Sequence, residues 1–296
     1  MSKRTVTIAA IAALACAAGT YYWAHGLGAL SRVSKAAQPA VATPALATTD
    51  KAAPVSLAPS LSKTTELGDR SASADADTSL RPGEVLEFAA DVAKLSNVAN
   101  LRLQIIERRN FFGKNAWHLQ ANAHTENPLR MVFELDDQFD SYSDAVTLSS
   151  LQYEMHLNER GQKQESIQRM RTTDAEHAAS NATETRVAPG TRDPLGLMQY
   201  LRTVDWTKIH EVHGPVYDGH KLYDVSARLD GATQNITVPA GTFAASKIEV
   251  RVFDAGVELK DAHFALYLAS NASRTPVLLE AVMPFATARV ALVKMK

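Results

Sequence analysis

The sequence predicts an all-β domain: a large curved antiparallel sheet or open barrel, with one main helix packed against it. Several segments alternate apolar and polar residues with a period of two, which is typical of antiparallel strands that bury one face. Turn-forming pairs of residues separate these segments. Helical spacing with a start signal is found in one segment, 193–204. The alternating segments are 115–124, 129–135, 151–158 and 264–268, and the turn pairs include 136–137, 160–161, 218–219, 230–231 and 270–271. About ten to twelve strands are expected.

Residues 5–23 form an uncharged apolar segment that follows Lys3 and Arg4. As a signal anchor, this segment is just long enough to cross about 30 Å of hydrocarbon, with aromatic residues at the far interface. As a cleaved signal peptide, it offers a small-x-small site at 13–15. Lipidation at Cys16 is a third alternative, although the position three residues earlier is Ala13, where a lipobox usually has Leu. Residues 1–24 are therefore predicted to be a signal anchor or signal peptide.

Residues 25–80 are predicted to be a disordered stalk. They consist largely of Ala, Ser, Thr, Pro and Leu, and no aromatic residue occurs between Trp23 and Phe88. Such a segment cannot bury enough apolar surface to offset the entropy lost on ordering. The folded domain is therefore expected to comprise residues 81–296.

The single predicted helix has a clear start. Asp193 suits the N-cap, and a proline follows at the first helical position. A wide apolar stripe then predicts that the helix packs against the sheet. The stripe either belongs to the core or lines a groove, so its residues are candidate contacts for an apolar ligand: Leu197, Tyr200, Leu201 and Val204. The preceding residues, 172–192, are expected to form a mobile loop.

The sequence contains no motif that indicates catalysis, metal binding or cofactor binding. Cys16 is the single cysteine and lies in the apolar segment, and no Gly-x-Ser-x-Gly or Gly-Lys-Ser/Thr motif is present. His210, His213 and His220 lie close in sequence, but Gly214-Pro215 breaks any helix that would align them. Turn acids are the expected role of three carboxylates that lie near one another, Asp136, Asp137 and Asp140. The net charge of −1 gives no footprint for nucleic acid. We expect no enzyme activity, no metal, no cofactor and no nucleic-acid partner.

Four segments resemble the domain of unknown function 3108 family of exported bacterial proteins. They are an opening strand at 81–88, the capped helix at 193–202, the motif Val-Pro-Ala-Gly-Thr-Phe at 238–243 and a hairpin at 267–277. Where the family usually places an Asp in that hairpin turn, this chain has Asn271-Ala272. The resemblance covers residues 81–296 and implies an exported, mainly antiparallel β domain with no established activity.

Two functions remain open from the sequence. The first is a non-enzymatic periplasmic binding or assembly module that holds a lipid or another apolar ligand between the helix and the sheet. The second is a structural or protein-binding component of the cell envelope; a hydrolase is a third and weaker alternative. The expected location is the envelope of a Gram-negative bacterium. There the domain would lie in the periplasm, held at the inner membrane by residues 5–23 or released by cleavage.

Overall fold

The computed structural model describes residues 79–172, 183–282 and 287–296. The predicted signal anchor or signal peptide and the stalk up to residue 78 lie outside these residues. Ser79 and Leu80, which the sequence boundary assigns to the stalk, are buried in the domain, so the domain begins before residue 81. Among the helices of the described part, none is long and apolar enough to span a membrane.

In the described residues, fourteen strands form a single sheet. In chain order they are β1 (Val85–Val92), β2 (Leu95–Phe111), β3 (Lys114–Thr125), β4 (Asp136–Asp144), β5 (Ser150–Glu159), β6 (Gln162–Arg171), β7 (Thr183–Arg186), β8 (Glu211–Tyr217), β9 (Leu222–Leu229), β10 (Gln234–Val238), β11 (Gly241–Asp254), β12 (Val257–Ala269), β13 (Pro276–Val282) and β14 (Thr287–Met295). The strand order is β7-β6-β5-β4-β3-β2-β1-β14-β13-β12-β11-β9-β8, and β10 also pairs with β11.

The predicted fold class is confirmed, with two differences. With the short strands β7 and β10 included, the sheet has more strands than the expected ten to twelve. One pair, β6 with β7, is parallel, whereas the other pairs of named strands are antiparallel. The parallel pair arises because β7 ends the crossover from β6 and runs in the same direction. Part of that crossover, 173–182, lies outside the described residues.

Period-two burial places one hydrophobic core on one face of the sheet. In β3, Trp117, Leu119, Ala121 and Ala123 are all buried, as the alternation predicts. The side chains between them lie on the opposite face and are more exposed. Residues from every part of the sheet and from the helix join in one core cluster. The sheet therefore curves around a packed interior.

Residues 187–192 connect the two edges of the sheet. Val187 N–H donates to the carbonyl of Arg171 in β6, at 2.9 Å, and Thr191 carbonyl accepts from Ser150 N–H at the start of β5, also at 2.9 Å. On the other edge, Tyr217 N–H in β8 donates to the carbonyl of Arg192 at 2.8 Å. The part of the predicted loop 172–192 that follows β7 thus closes the sheet into a barrel-like form.

The helix, α1 (Pro194–Thr203), lies within the curve of the sheet and contacts β3, β4 and β8. The predicted bounds hold to within a residue, with Asp193 as N-cap and Val204 as C-cap. All of its residues except Leu197 are buried. A helix buried on every side contributes directly to the core, which explains its wide apolar stripe.

One predicted strand and one predicted turn are wrong. Residues 129–135 do not form a strand, because a 3₁₀ turn at Leu129–Met131 follows Pro128 and satisfies its backbone groups locally. The connection from β3 to β4 occurs there instead, and the predicted turn at Asp136-Asp137 is the beginning of β4. The other predicted turns lie between strands. Arg160 and Gly161, for example, have φ angles of 51° and 74°, as a tight β-hairpin turn requires.

Candidate functional site

The N-terminus of α1 is fixed by a fully buried carboxylate. Asp193 Oδ1 accepts a hydrogen bond from Gly196 N–H at 2.9 Å, which is the expected cap. Its Oδ2 accepts from the hydroxyls of Ser141 in β4, at 2.5 Å, and of Ser150 in β5. Ser150 Oγ in turn accepts from the Asp193 N–H at 2.6 Å. Asp193 therefore joins the helix to two strands as well as capping it.

This buried group of residues is suited to structure rather than to catalysis. Burial raises the pKa of Asp193, although the hydrogen bonds from Ser141, Ser150 and Gly196 oppose that shift. Both hydroxyls donate directly to the carboxylate, and no imidazole stands between serine and acid as nucleophilic catalysis requires. The first turn of α1 can lie this close to β4 because residue 196 is Gly. A Cβ at that position would lie only 3.0 Å from Ser143 Oγ.

The C-terminal half of α1 is fixed by a buried arginine. Arg202 Nη2 lies 2.8 Å from a carboxylate oxygen of Glu84, which precedes β1. The same guanidinium donates to the carbonyls of Ser79 and Ser273, at 3.1 and 3.0 Å, and Nη1 donates to Gln199 Oε1 at 2.7 Å. Its charge and its donors are thus satisfied inside the domain. One side chain joins the helix, the entry of the chain and the β12–β13 turn.

The four candidate ligand contacts of α1 do not lie in one environment. Leu201 and Val204 are 2% and 1% exposed and belong to the core. Tyr200 is also buried, and the Arg192 guanidinium lies 3.6 Å from its ring centroid. Leu197 is half-buried. The structure therefore brings Leu197 and Tyr200 together on the side of the helix that faces β8.

The space between α1 and the sheet is small at that point. Leu197 and Tyr200 line a cavity of about 10 Å³ together with residues of β8 and β9, among them Val212, Val216 and Val225. A single water needs about 10–15 Å³ by the same measure. In the described conformation, the interface between helix and sheet is filled by side chains.

A larger recess of about 380 Å³ lies on the outer face of β8, β9 and β11. We call it the outer recess; it is lined by Glu211, His213, Asp224, Ser226, Arg228, Glu249, Arg251, Phe253 and Gly256. Arg228 and Arg251 each lie 3.2 Å from Glu249. Burial raises the pKa of Glu249, but the two arginines outweigh it and lower that pKa overall. The charges of the recess are therefore largely paired across its surface.

The outer recess contains a serine, an acid and a histidine, but their hydrogen bonds do not follow the serine–histidine–acid sequence of a catalytic triad. Ser226 Oγ donates to Glu211 Oε1 at 2.7 Å, and His213 Nε2 lies 3.3 Å from the same oxygen. In a catalytic relay, histidine takes the proton from serine and the acid orients the histidine. Here both groups contact the carboxylate, and no hydrogen bond joins Ser226 to His213, although the two residues lie opposite each other in the β8–β9 pair.

The candidate metal and acid residues are separated by the fold. His210 precedes β8 and His220 lies in the β8–β9 turn. Within residues 79–172, 183–282 and 287–296, no group of three or more His, Cys, Asp or Glu side chains could hold a metal ion. Asp137 faces the interior from β4, Asp140 lies on the other face with His118 Nε2 at 2.7 Å, and Asp136 pairs with Arg130 at 2.8 Å.

The family model for the protein of unknown function DUF3108 matches residues 94–293. The chain is a member of the DUF3108 family. The match begins after β1, so the predicted opening motif at 81–88 precedes it. No curated protein matches this DUF3108 protein.

Solved structures that are similar to this DUF3108 chain match it at low sequence identity and low TM-score. A β-barrel-like protein of the family of unknown function DUF1849 from Brucella abortus is 9% identical, with a TM-score of 0.44 over 73% of this chain and 97% of that chain. A predicted lipoprotein from Parabacteroides distasonis is 14% identical, with a TM-score of 0.34 over 73% and 96% of the two chains. A predicted exported protein from Bacteroides fragilis with a YmcC-like fold is 10% identical, with a TM-score of 0.28 over 73% and 96%.

Sequence reasoning missed the long-range partners of the helix and of the family motif. The motif at 238–243 is a β10–β11 turn, as expected, but Ala240 N–H also donates to the carbonyl of Leu292 in β14 at 3.0 Å. Arg202 is the last residue of the helical segment that resembles the family, and this position was the only sequence signal for a structural role of its charge. No pattern in the sequence points to Glu84, Ser141 or Ser150 as partners, because each is distant in sequence.

Proposed function

We propose that this DUF3108 domain is a non-enzymatic assembly module of the bacterial cell envelope that works through its outer surface. The carrying observation is the filled interface between α1 and the sheet, where the cavity of about 10 Å³ admits no lipid. A module that binds partners on its outer face needs no internal cavity. The arrangement of Ser226, Glu211 and His213 supports a role without catalysis, because both side chains are bonded to the carboxylate and no hydrogen bond joins Ser226 to His213.

The second candidate is a module that holds a lipid or another apolar ligand beside α1. The observation in its favour is the half-buried Leu197, which reaches the crevice between α1 and β8 with Tyr200. For this function the helix must move away from β8 when the ligand enters. Leu201 and Val204 would then be exposed to the ligand from their present core positions.

Site-specific photo-cross-linking in the host separates the two candidates. The photoreactive amino acid p-benzoylphenylalanine replaces Phe253 in the outer recess in one full-length variant and Leu197 beside α1 in another. We expect a protein adduct from position 253 and no lipid adduct from position 197. A lipid adduct from position 197, without a protein adduct from position 253, would contradict the assembly function and favour ligand binding.

We also propose that the domain lies in the periplasm of a Gram-negative bacterium. The support is the apolar segment 5–23 after Lys3 and Arg4, which would hold the chain at the inner membrane or be cleaved. Protease treatment of spheroplasts should degrade the domain, and carbonate extraction should leave an anchored chain in the membrane fraction. Protection from protease in spheroplasts would contradict this location.

A further inference from the structure

One end of the barrel carries exposed apolar side chains interspersed with basic ones. We call this end the basic rim. Its apolar members are 37–49% exposed: Ile106, Phe112, Val146 and Met295. Its basic members are Arg108, Arg109, Lys114, Lys294 and Lys296. Arg109 is paired with Glu107 at 3.1 Å, so the excess positive charge comes from the other four. Ile106, Arg108 and Arg109 lie in the last six residues of β2, and the others lie at strand ends or in turns, all on the side of the sheet where β1 begins.

Hydrogen bonds and strand pairing make these residues neighbours around the rim. Ala145 N–H donates to the carbonyl of Asn115 at 2.9 Å, which places the β4–β5 loop beside the β2–β3 turn. Gly83 N–H donates to the carbonyl of Ile105 at 2.7 Å, next to the exposed Ile106. Met295 pairs with Leu86 at the start of β1. These contacts place the β4–β5 loop beside the β2–β3 turn and the end of β14 beside the start of β1, and the stretch of β2 from Gln104 to Phe111 joins these two parts of the basic rim.

The β2–β3 turn presents a half-exposed aromatic side chain at this rim. Phe112 has a φ of 54°, a left-handed conformation that is costly for a bulky residue. Its ring packs against Tyr142, at 5.6 Å between centroids, and the Arg169 guanidinium lies 4.2 Å from its centroid. The Arg109 guanidinium lies 4.8 Å from the ring of Phe111. Aromatic rings and cations are thus fixed together at the tip of a hairpin.

Charge distinguishes the basic rim from the opposite end of the barrel. That end also has exposed apolar residues, including Met131 and Val257, at 82% and 68% exposure. Its charged neighbours include Glu134, Asp136 and Asp254, which are paired with single cations. An apolar surface with excess positive charge complements an anionic bilayer, which has an apolar interior and negatively charged head groups.

The chain that precedes the described residues enters the domain at the basic rim. Ser79 and Leu80 lie beside Arg202 and lead into Gly83, which is bonded to β2 close to the rim. The apolar segment 5–23, which we propose to lie in a membrane, is connected to this same end.

We propose that the basic rim docks on a lipid bilayer that carries anionic head groups, with Phe112 at the level of the interface. Aromatic side chains favour that level, and each nearby Lys or Arg strengthens attraction to anionic lipid. This inference deepens the proposed function, since it names one outer surface and its partner. The outer recess remains available for proteins when the rim rests on the bilayer.

The test uses the full-length chain in liposomes and compares two tryptophan positions. Phe112→Trp places a probe on the basic rim, and Val257→Trp places a matched probe in an exposed turn at the opposite end. The parent chain supplies the background of its native tryptophans. With brominated phosphatidylglycerol and phosphatidylcholine lipids, we expect quenching of the probe at 112 and none at 257. Pure phosphatidylcholine should reduce the quenching at 112.

Charge reversal completes the test. In the Phe112→Trp background, Lys114→Glu should weaken the docking equilibrium about tenfold, because it removes one cation and adds one anion. The matched control, Lys260→Glu at an exposed position away from the rim, should leave the quenching unchanged. Equal quenching at 112 and 257, or none at 112, would overturn the inference. Adducts from position 253 would still report on the proposed function independently.

Discussion

Arg202 in α1 and Glu84 before β1 form an ion pair across 118 positions of sequence, with 2.8 Å between guanidinium nitrogen and carboxylate oxygen. The Arg202 side chain is fully buried, and that of Glu84 is 12% exposed. Removing one partner of a buried pair leaves a charge that water cannot solvate. The pair therefore holds the entry of the chain to the helix.

Glu84→Ala should lower the free energy of unfolding by about 3–5 kcal/mol, because Arg202 stays buried without its carboxylate. Urea unfolding of the full-length chain measures this loss. The matched control is Glu107→Ala, since Glu107 and Arg109 form an exposed pair with side chains 37% and 63% accessible. That variant should lose at most about 1 kcal/mol. Equal losses in the two variants would contradict the special role of the buried pair.

Asp193→Ala should cost about 2–4 kcal/mol, more than the 1 kcal/mol typical of a lost cap. The additional loss arises because Ser141 and Ser150 would both lose a buried acceptor. Asp193→Asn keeps one carbonyl oxygen and should retain more than half of the stability lost in the alanine variant. Thermal melting of both variants checks the order. A loss of only 1 kcal/mol in Asp193→Ala would mean that the two serine contacts contribute little.

Leu201→Ala should lower the free energy of unfolding by about 2–5 kcal/mol, because it opens a cavity in the core. Leu197→Ala, on the half-buried side of the same helix, should lose clearly less. Chemical denaturation of the two variants provides the comparison. If Leu201→Ala unfolds like the parent chain but releases a bound lipid detected by mass spectrometry, the ligand-holding function is favoured instead.

Asp137 should make stability depend on pH. Burial raises its pKa from 3.8 to about 7 in the folded protein. The folded state therefore holds a proton that the unfolded state releases, and the resulting stability is full below pH 3.8 and is lost as the pH rises through 7. Asp137→Asn, which stays neutral, should gain on the order of 2–4 kcal/mol relative to the parent between pH 4 and pH 8.

Asp140 on the opposite face of β4 is the matched control for this pH effect. Burial alone would raise the pKa of Asp140, but hydrogen bonds from His118, Gln138 and Gln120 lower it overall. Its stabilisation is present above the ordinary carboxyl pKa and is lost as the pH falls through the lowered value. Asp140→Asn should therefore lose stability relative to the parent throughout the range above pH 3.8, and the difference should shrink only below that pH. The same trend in both variants would contradict the assignment of opposite shifts.

Local features of the fold were predictable, whereas the contacts that fix it were not. The cap at Asp193 and the strands around Trp117 and Tyr153 follow from patterns within a dozen residues, and the structure has them. The strand expected at 129–135 was wrong. Four alternating apolar residues are too few to distinguish a strand from a short turn, and here they begin in a 3₁₀ turn in which Leu129 is half-buried. His118 lies on the polar side of the alternating segment 115–124, yet Asp140 and Tyr142 contact it. The exposure of such a side chain depends on its neighbours on other strands, and the alternation alone does not identify those neighbours.

The helix shows the same limit at the level of the site. The stripe of Leu197, Tyr200, Leu201 and Val204 indicates that one face packs, but it cannot distinguish a filled core from a groove. That distinction depends on how closely β8 approaches, and hence on the bond between Arg192 and Tyr217 that closes the sheet. Side-chain volumes across the interface then leave about 10 Å³.

The pairing of β1 with β14 governs when the domain can be completed. Leu86 pairs with Met295, and Val85 and Lys296 exchange backbone hydrogen bonds of 2.9 and 3.0 Å. During synthesis, β1 therefore keeps one edge without its final partner until β14 has been made. Contacts of such long sequence separation close late and slowly, since the loop entropy is lost before the contacts form. During that interval, the growing chain presents an open β edge, which is the form that holdase chaperones protect and that aggregation exploits.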